Sequence, residues 1–328
     1  AKETTPPMTA SPDPSAHGPH RDVTIVEVGP RDGFQIERRF IPTALKIELI
    51  EGLIDAGLPV IEVTSFVSPK AVPQLADAAE VVAGIRNRDR AELLALVPNL
   101  EGAERAIAAG VDSIGLVVSA SESHNTKNLN RTVDRSLAGF ADVVAAARAA
   151  GVDVKGGIAT SFGCPFEGDV PPARVVHIAR RYAELGVTRI GLADTTGMAQ
   201  PKHVRAVVRA VRAALPTAEL GLHLHDTRGI GLANAVIGLE EGVRRLDASV
   251  AGLGGCPFAP GATGNVCTED LIFLLDGLDL ATGVDLDRLI GVARRVEELV
   301  GRALPGQVMK AGTRAARHPL DAVPTAAG

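Results

Sequence analysis

The stretch TRIGLADTTGMAQPKHVRAVVRAVRAALPTAELGLHLH, residues 188–225, decides the fold. It opens on a short apolar run (TRIGLA, 188–193), turns through Asp194 and Gly197, continues as an Ala-rich helical pattern over 201–214, and ends on a second apolar run (LGLHLH, 220–225). The same rhythm recurs on either side. Further strand candidates are VTIVEV (23–28), VIEVT (60–64), ELLALV (92–97), SIGLVV (113–118), VDVKGGIA (152–159) and RLDASV (245–250). Helical patterns lie near 43–56, 74–86, 100–109, 131–150, 171–185 and 230–242. Apolar strands alternating with helices imply parallel pairing, and eight such units close naturally into an α/β architecture, the (β/α)8 TIM barrel. Gly57, Gly110, Gly151 and Gly186 each fall between a helix and the next strand, where a left-handed cap returns the chain to the sheet. An open doubly wound sheet would carry G-x-G-x-x-G after its first strand; here that turn is Gly29-Pro30-Arg31-Asp32-Gly33. Additional C-terminal helices are expected over Glu269–Leu278 and Leu286–Arg302. The expected organisation is a flexible N-terminal tail over 1–22, a barrel domain with its C-terminal helices over 23–310, and a flexible C-terminal tail over 311–328.

Composition narrows the function. Of 328 residues, 46% are hydrophobic and only 3% aromatic, so the core must be built from Ala, Val, Leu and Ile. A net charge of −5 and the lack of any basic, aromatic stretch argue against nucleic acid as a partner. The long uncharged run 248–268 is rich in Gly and Pro and reads as a loop, so no membrane association is expected. The three cysteines form no C-x-x-C, and residues 1–20 lack the pattern of a secretory signal; a reducing, cytoplasmic setting is expected.

In such a barrel the chemistry lies at the C-terminal ends of the strands. There the chain places Arg31, Asp32 and Gln35 after strand 1, Glu62 and Ser65 in and after strand 2, Asp194 after strand 6, and His223 and His225 on strand 7. After strand 8 comes the Gly-rich loop with Cys256, then Asn265. Two histidines two residues apart on a strand share a face. With Asp32 and Asn265 they offer two nitrogens and two oxygens, a set suited to a divalent cation. A lone H-x-H is more often a pair of hydrogen-bonded core or surface residues; placement at a strand end beside these partners favours the metal. Glu62, a carboxylate in an apolar strand, is either a strut paired with Arg31 or a proton carrier, and Asp194 has the same ambiguity. Cys164 and Cys267 read as small buried hydrophobes, whereas Cys256 sits in a loop able to move.

These residues in this order resemble the 3-hydroxy-3-methylglutaryl-CoA lyase family. The matching segments are VEVGPRDGFQ (26–35), VIEVTSFVSPKAVPQ (60–74), GCPFEG (163–168), HLHDTRGIGLAN (223–234) and SVAGLGGCPFAPGATGN (249–265), the last highly specific. The resemblance implies Asp32, His223, His225 and Asn265 as ligands of Mg²⁺ or Mn²⁺. It implies Arg31, Glu62, Asp194, His223 and Cys256 as catalytic residues, with Arg31, Gln35 and Ser65 meeting an acyl-CoA thioester substrate. The implied reaction cleaves 3-hydroxy-3-methylglutaryl-CoA to acetyl-CoA and acetoacetate, a step of leucine degradation and ketone-body formation, in a homodimer. Two departures flank the site: Ile36 stands where the family often has Asn, and Ala71 where it usually has Trp. They leave open a related branched 3-hydroxyacyl-CoA, cleaved or formed at the same metal site. A non-catalytic ligand-binding barrel is the third reading; it predicts a broken ligand set, whereas all four ligands are present.

Overall fold

A computed structural model describes residues 20–255 and 264–317. Eight parallel strands close into a barrel in chain order: β1 (Thr24–Glu27), β2 (Val60–Ser65), β3 (Glu92–Leu96), β4 (Ser113–Ser119), β5 (Asp153–Ala159), β6 (Arg189–Ala193), β7 (Glu219–His223) and β8 (Arg245–Ala248), with β8 pairing back to β1. Every run expected to be a strand is one. Helices follow as α1 (Thr43–Asp55), α2 (Ala78–Gly84), α3 (Leu100–Ala109), α4 (Glu122–Leu129), α5 (Val133–Ala149), α6 (Pro172–Glu184), α7 (Pro201–Ala214), α8 (Gly231–Glu240), α9 (Thr268–Asp276), α10 (Leu286–Val300) and the short α11 (Val308–Ala311).

Alternation along each strand separates two environments. Ile190 and Leu192 on β6, and Leu220 and Leu222 on β7, are buried in the cluster shared with the helices. Burying each such side chain contributes roughly 1.5–3 kcal/mol. The intervening residues therefore face the lumen. On α7 the valines at 204, 207, 208 and 211 meet this outer face of the sheet, which is the helical spacing that a one-sided contact requires. Tyr182 of α6 packs on Gly156, where an added Cβ would lie 2.8 Å from its ring, and its hydroxyl donates to Leu116 O or Gly157 O at 3.0 and 3.1 Å. Gly57, Gly110, Gly151 and Gly186 all have φ between 71° and 96°, as their positions between helix and strand require.

The N-terminal end of the lumen is floored by charge. Lys155 pairs with Glu92 at 2.5 Å, and Arg189 with Asp153 and Glu219 at 2.7 and 3.2 Å. The C-terminal end opens as a mouth, and there the local geometry departs from regularity. Residues Gly29–Gly33 form one π-helical turn directly after β1. In β2 the register slips between Glu62 and Thr64, so that Glu62 pairs with Leu94 but Ser65 pairs with Leu96. A bulge of this kind re-aims side chains: it brings Ser65, rather than Thr64, to the side of the lumen.

Candidate active site and metal centre

The π-turn lifts Arg31 and Asp32 over the barrel mouth. Arg31 is gripped from both sides: its Nε donates to Glu62 Oε2 at 2.7 Å, and Nη1 to Asp32 Oδ1 at 2.5 Å. The strut read from the sequence is therefore present, and it leaves Arg31 aimed by two carboxylates. Burial alone would loosen the Arg31 proton, but Glu62 and Asp32 bind it tighter still, so the guanidinium is permanently charged. Burial raises the pKa of Glu62 against the opposing pull of Arg31.

Asp32 is 8% exposed, and each oxygen is held. Oδ1 also accepts from Gln35 Nε2 at 3.1 Å, and Oδ2 accepts from Asn265 Nδ2 at 2.7 Å. Burial would raise its pKa; Arg31, His223 and His225 overcome that and bring it down to about 2. The carboxylate is thus ionised at any working pH.

His223 ends β7, and His225 follows in an isolated bridge to Asn265. Their Nε2 atoms face each other at 3.2 Å. Donor atoms of Asp32, His223 and His225 all lie within 4.8 Å of one another. Two imidazole nitrogens and a carboxylate oxygen converging in this way suit one divalent cation; nitrogens about 2.1 Å from a shared ion approach each other to about this separation. Asn265 adds a further indication. Its Oδ1 is buried without a hydrogen-bond partner among the described residues, so the amide holds an oxygen in reserve beside Asp32. Burial drives the pKa of His225 down to about 3, with the neighbouring His223 adding to the effect, which keeps the ring neutral and able to ligate.

Asp247 on β8 was not singled out by sequence. It lies directly opposite His223 in register, and its Oδ2 accepts from His223 Nδ1 at 3.3 Å. Burial works against a charge on His223, yet this carboxylate raises its pKa overall. The signal was legible in RLDASV: Leu246 and Ala248 point to the helices, which turns Asp247 inward. Glu27 was also passed over. It is fully buried behind β1, where it accepts from the backbone N–H groups of Gly29 and Val250 and from Thr268 Oγ1.

The remaining expected site residues fall out differently. Asp194 stands at the end of β6, but its Oδ1 accepts from the N–H groups of Met198 and Ala199 at 2.8 and 2.9 Å, so it organises its own turn. Burial raises its pKa to about 6. Ser65 Oγ is buried with no hydrogen-bond partner among the described residues. Cys256 lies outside the described residues.

A closed parallel barrel whose C-terminal mouth gathers a carboxylate, two imidazoles and a clamped arginine defines a metal-dependent TIM-barrel enzyme. The HMGL-like family profile matches residues 22–296. The chain is 44% identical over 291 residues to the mitochondrial hydroxymethylglutaryl-CoA lyase of Bos taurus, covering 89% of this chain and 90% of that one. It is 45% identical over 280 residues to the mitochondrial enzyme of Arabidopsis thaliana, covering 85% of this chain but 60% of that longer one. Among solved structures it superposes on an HMG-CoA lyase from Acenitobacter baumannii, in complex with coenzyme A and 3-methylmalate, with a TM-score of 0.87, 44% identity and coverage of 91% and 97%. The chain belongs to the HMG-CoA lyase family.

Proposed function

We propose that this protein cleaves 3-hydroxy-3-methylglutaryl-CoA to acetyl-CoA and acetoacetate, with Mg²⁺ or Mn²⁺ held by Asp32, His223, His225 and Asn265. The convergence of the first three carries the reading. A bound divalent cation would make the C3 hydroxyl of the substrate more acidic. The residues then divide the work. Glu62, whose proton affinity burial has raised, takes the C3 hydroxyl proton. The C3–O bond becomes a carbonyl, the C2–C3 bond breaks, and its electron pair moves onto the thioester as an enolate. Arg31, fixed by Glu62 and Asp32, presents N–H donors to the enolate oxygen without having to reorganise. Cys256 on the glycine-rich loop returns a proton to C2, giving acetyl-CoA. Gln35 and Ser65 contact the acyl group, and Asp194 holds the turn that borders it.

Recognition of CoA falls to the rim. A surface groove lined by Glu122, Ser123, Thr126, Lys127 and Asn130 runs along α4, beside the barrel mouth, and Lys127 and Arg131 supply cations for phosphate. Lys70, after β2, is a further candidate. A homodimer is supported by Phe273 on α9 and Leu278 just after it, large side chains left exposed. Cytoplasmic residence is supported by Cys164 and Cys267, both free thiols. No helix among the described residues is long and apolar enough to cross a membrane. A role in leucine degradation is supported by the branched acyl group that the site is read to cleave.

The test is a coupled assay for acetoacetate on EDTA-stripped protein, with and without added Mn²⁺ or Mg²⁺. Turnover should require the metal, and Asp32→Ala or His223→Ala should abolish it while leaving the circular dichroism spectrum intact. Full turnover by the stripped protein would overturn the scheme.

A further inference from the structure

One row of the lumen wall is built of glycine. On three neighbouring strands Gly157, Gly191 and Gly221 lie side by side in register. Each faces inward, because Ile158, Ile190, Leu192, Leu220 and Leu222, which flank them in sequence, are buried against the helices. This bare row lies two residues below the row of Ala193, His223 and Asp247, roughly 7 Å along the strands. A barrel lumen of this size is normally filled by layers of bulky side chains.

The space is open in front of Gly191, between Val117, which borders Gly157, and Arg245, which borders Gly221. A Cβ built on Gly191 would meet nothing nearer than Gly156 O at 3.9 Å. Gly157 and Gly191 are both partly accessible although they lie inside a closed barrel sheathed by helices, as are Leu96, Val117 and Ala193 around them. The hollow is therefore bordered by Val117 beside Gly157 and by the aliphatic stem of Arg245 beside Gly221, opens beneath the metal-binding histidines, and ends on the ion-paired floor of Lys155, Glu92 and Arg189. None of the three glycines has positive φ, so backbone conformation does not require them to be glycine. At Gly191 the lack of a side chain leaves space; at Gly157 it makes room for Val117, which would lie 3.0 Å from an added Cβ.

We propose that this hollow receives the C3 substituent of the substrate, and that the protein cleaves 3-hydroxyacyl-CoA thioesters whose C3 branch is an apolar chain longer than methyl. Gly191 and Val117 set the length accepted. The inference rests on the lyase reading above and adds to it the substrate class. A methyl branch would leave the hollow to water, whereas a chain of a few carbons would displace water from apolar walls and gain binding with each methylene.

The experiment compares kcat/KM for 3-hydroxy-3-methylglutaryl-CoA and 3-hydroxy-3-butylglutaryl-CoA, using the full chain loaded with Mn²⁺. The unmodified protein should cleave the butyl thioester at least as efficiently as the methyl one. Gly191→Leu, which projects into the open space, should lower the butyl-to-methyl ratio by roughly thirtyfold or more. Val117→Phe narrows the same hollow from the neighbouring strand and should act in the same direction, so the test survives if one variant fails to fold. A butyl thioester cleaved less efficiently than the methyl one by the unmodified protein would overturn the proposal. So would a ratio that neither folded variant changes. If neither thioester is cleaved, the lyase reading fails and the substrate class falls with it.

Discussion

His223 shows how one residue's role is set by its two ring nitrogens. Its Nδ1 is engaged by Asp247, which leaves Nε2 with its lone pair facing His225 and Asp32. A carboxylate behind a ligating imidazole fixes the tautomer and turns the ring. Asp247→Asn should therefore weaken Mn²⁺ binding by about 10–100-fold, measured by titrating free Mn²⁺ by electron paramagnetic resonance. Unchanged affinity would mean that Asp247 does not orient the ring. The histidines and Asp32 could be recognised in sequence because their types and strand positions suggest ligation. Asp247 could not, because its value comes from pairing in register with a residue 24 positions earlier. The pairing of Arg31 with Glu62 was one of two readings of an acidic residue in an apolar strand, and only the fold shows the 2.7 Å contact.

At the scale of elements, the apolar rhythm was a reliable guide and polar helices were not. Helix α4, ESHNTKNL, carries no apolar stripe, so no helix was expected there. It forms because Ser121 accepts from His124 N–H at its start and Asn130 adopts the left-handed cap at its end. Two surrounding contacts hold it: Glu122 accepts from Val133 N–H, and Glu167 accepts from Ser123 N–H. Strand and helix layers are also tied by single groups. The Tyr182 hydroxyl reaches from α6 to carbonyls of β4 and β5. Tyr182→Phe should cost about 1–2 kcal/mol, read from urea denaturation at equilibrium, since it leaves buried carbonyl capacity unmet. Gly156→Ala should cost more, because the new methyl lands against the ring at 2.8 Å.

At the scale of the whole molecule, several buried carboxylates make stability depend on pH in a definite direction. Burial raises both Glu27 and Glu269 from 4.5 to about 7. Between those values the folded protein holds protons that the unfolded chain has released. Stability conferred by these groups therefore falls as pH rises through that window, by of the order of 3 kcal/mol for each. Asp32 has the opposite sign: lowered from 3.8 to about 2, it contributes stability above the higher value that is lost as pH drops through the lower. In metal-free protein the urea midpoint should thus decline from pH 5 to 8, and Glu27→Gln should flatten that decline. A midpoint that climbs over this range would contradict the assignment. By itself the sequence determined the barrel, because eight short apolar runs alternating with helical patterns can bury their surface in few other ways. It also pointed to Asp32, His223 and His225 at the mouth, because chain order fixes which residues follow each strand. Only the tertiary structure decided the clamp on Arg31, the partner of His223 and the hollow at Gly191. Each depends on register across strands and on the space left between side chains, and neither is encoded in the spacing along one chain.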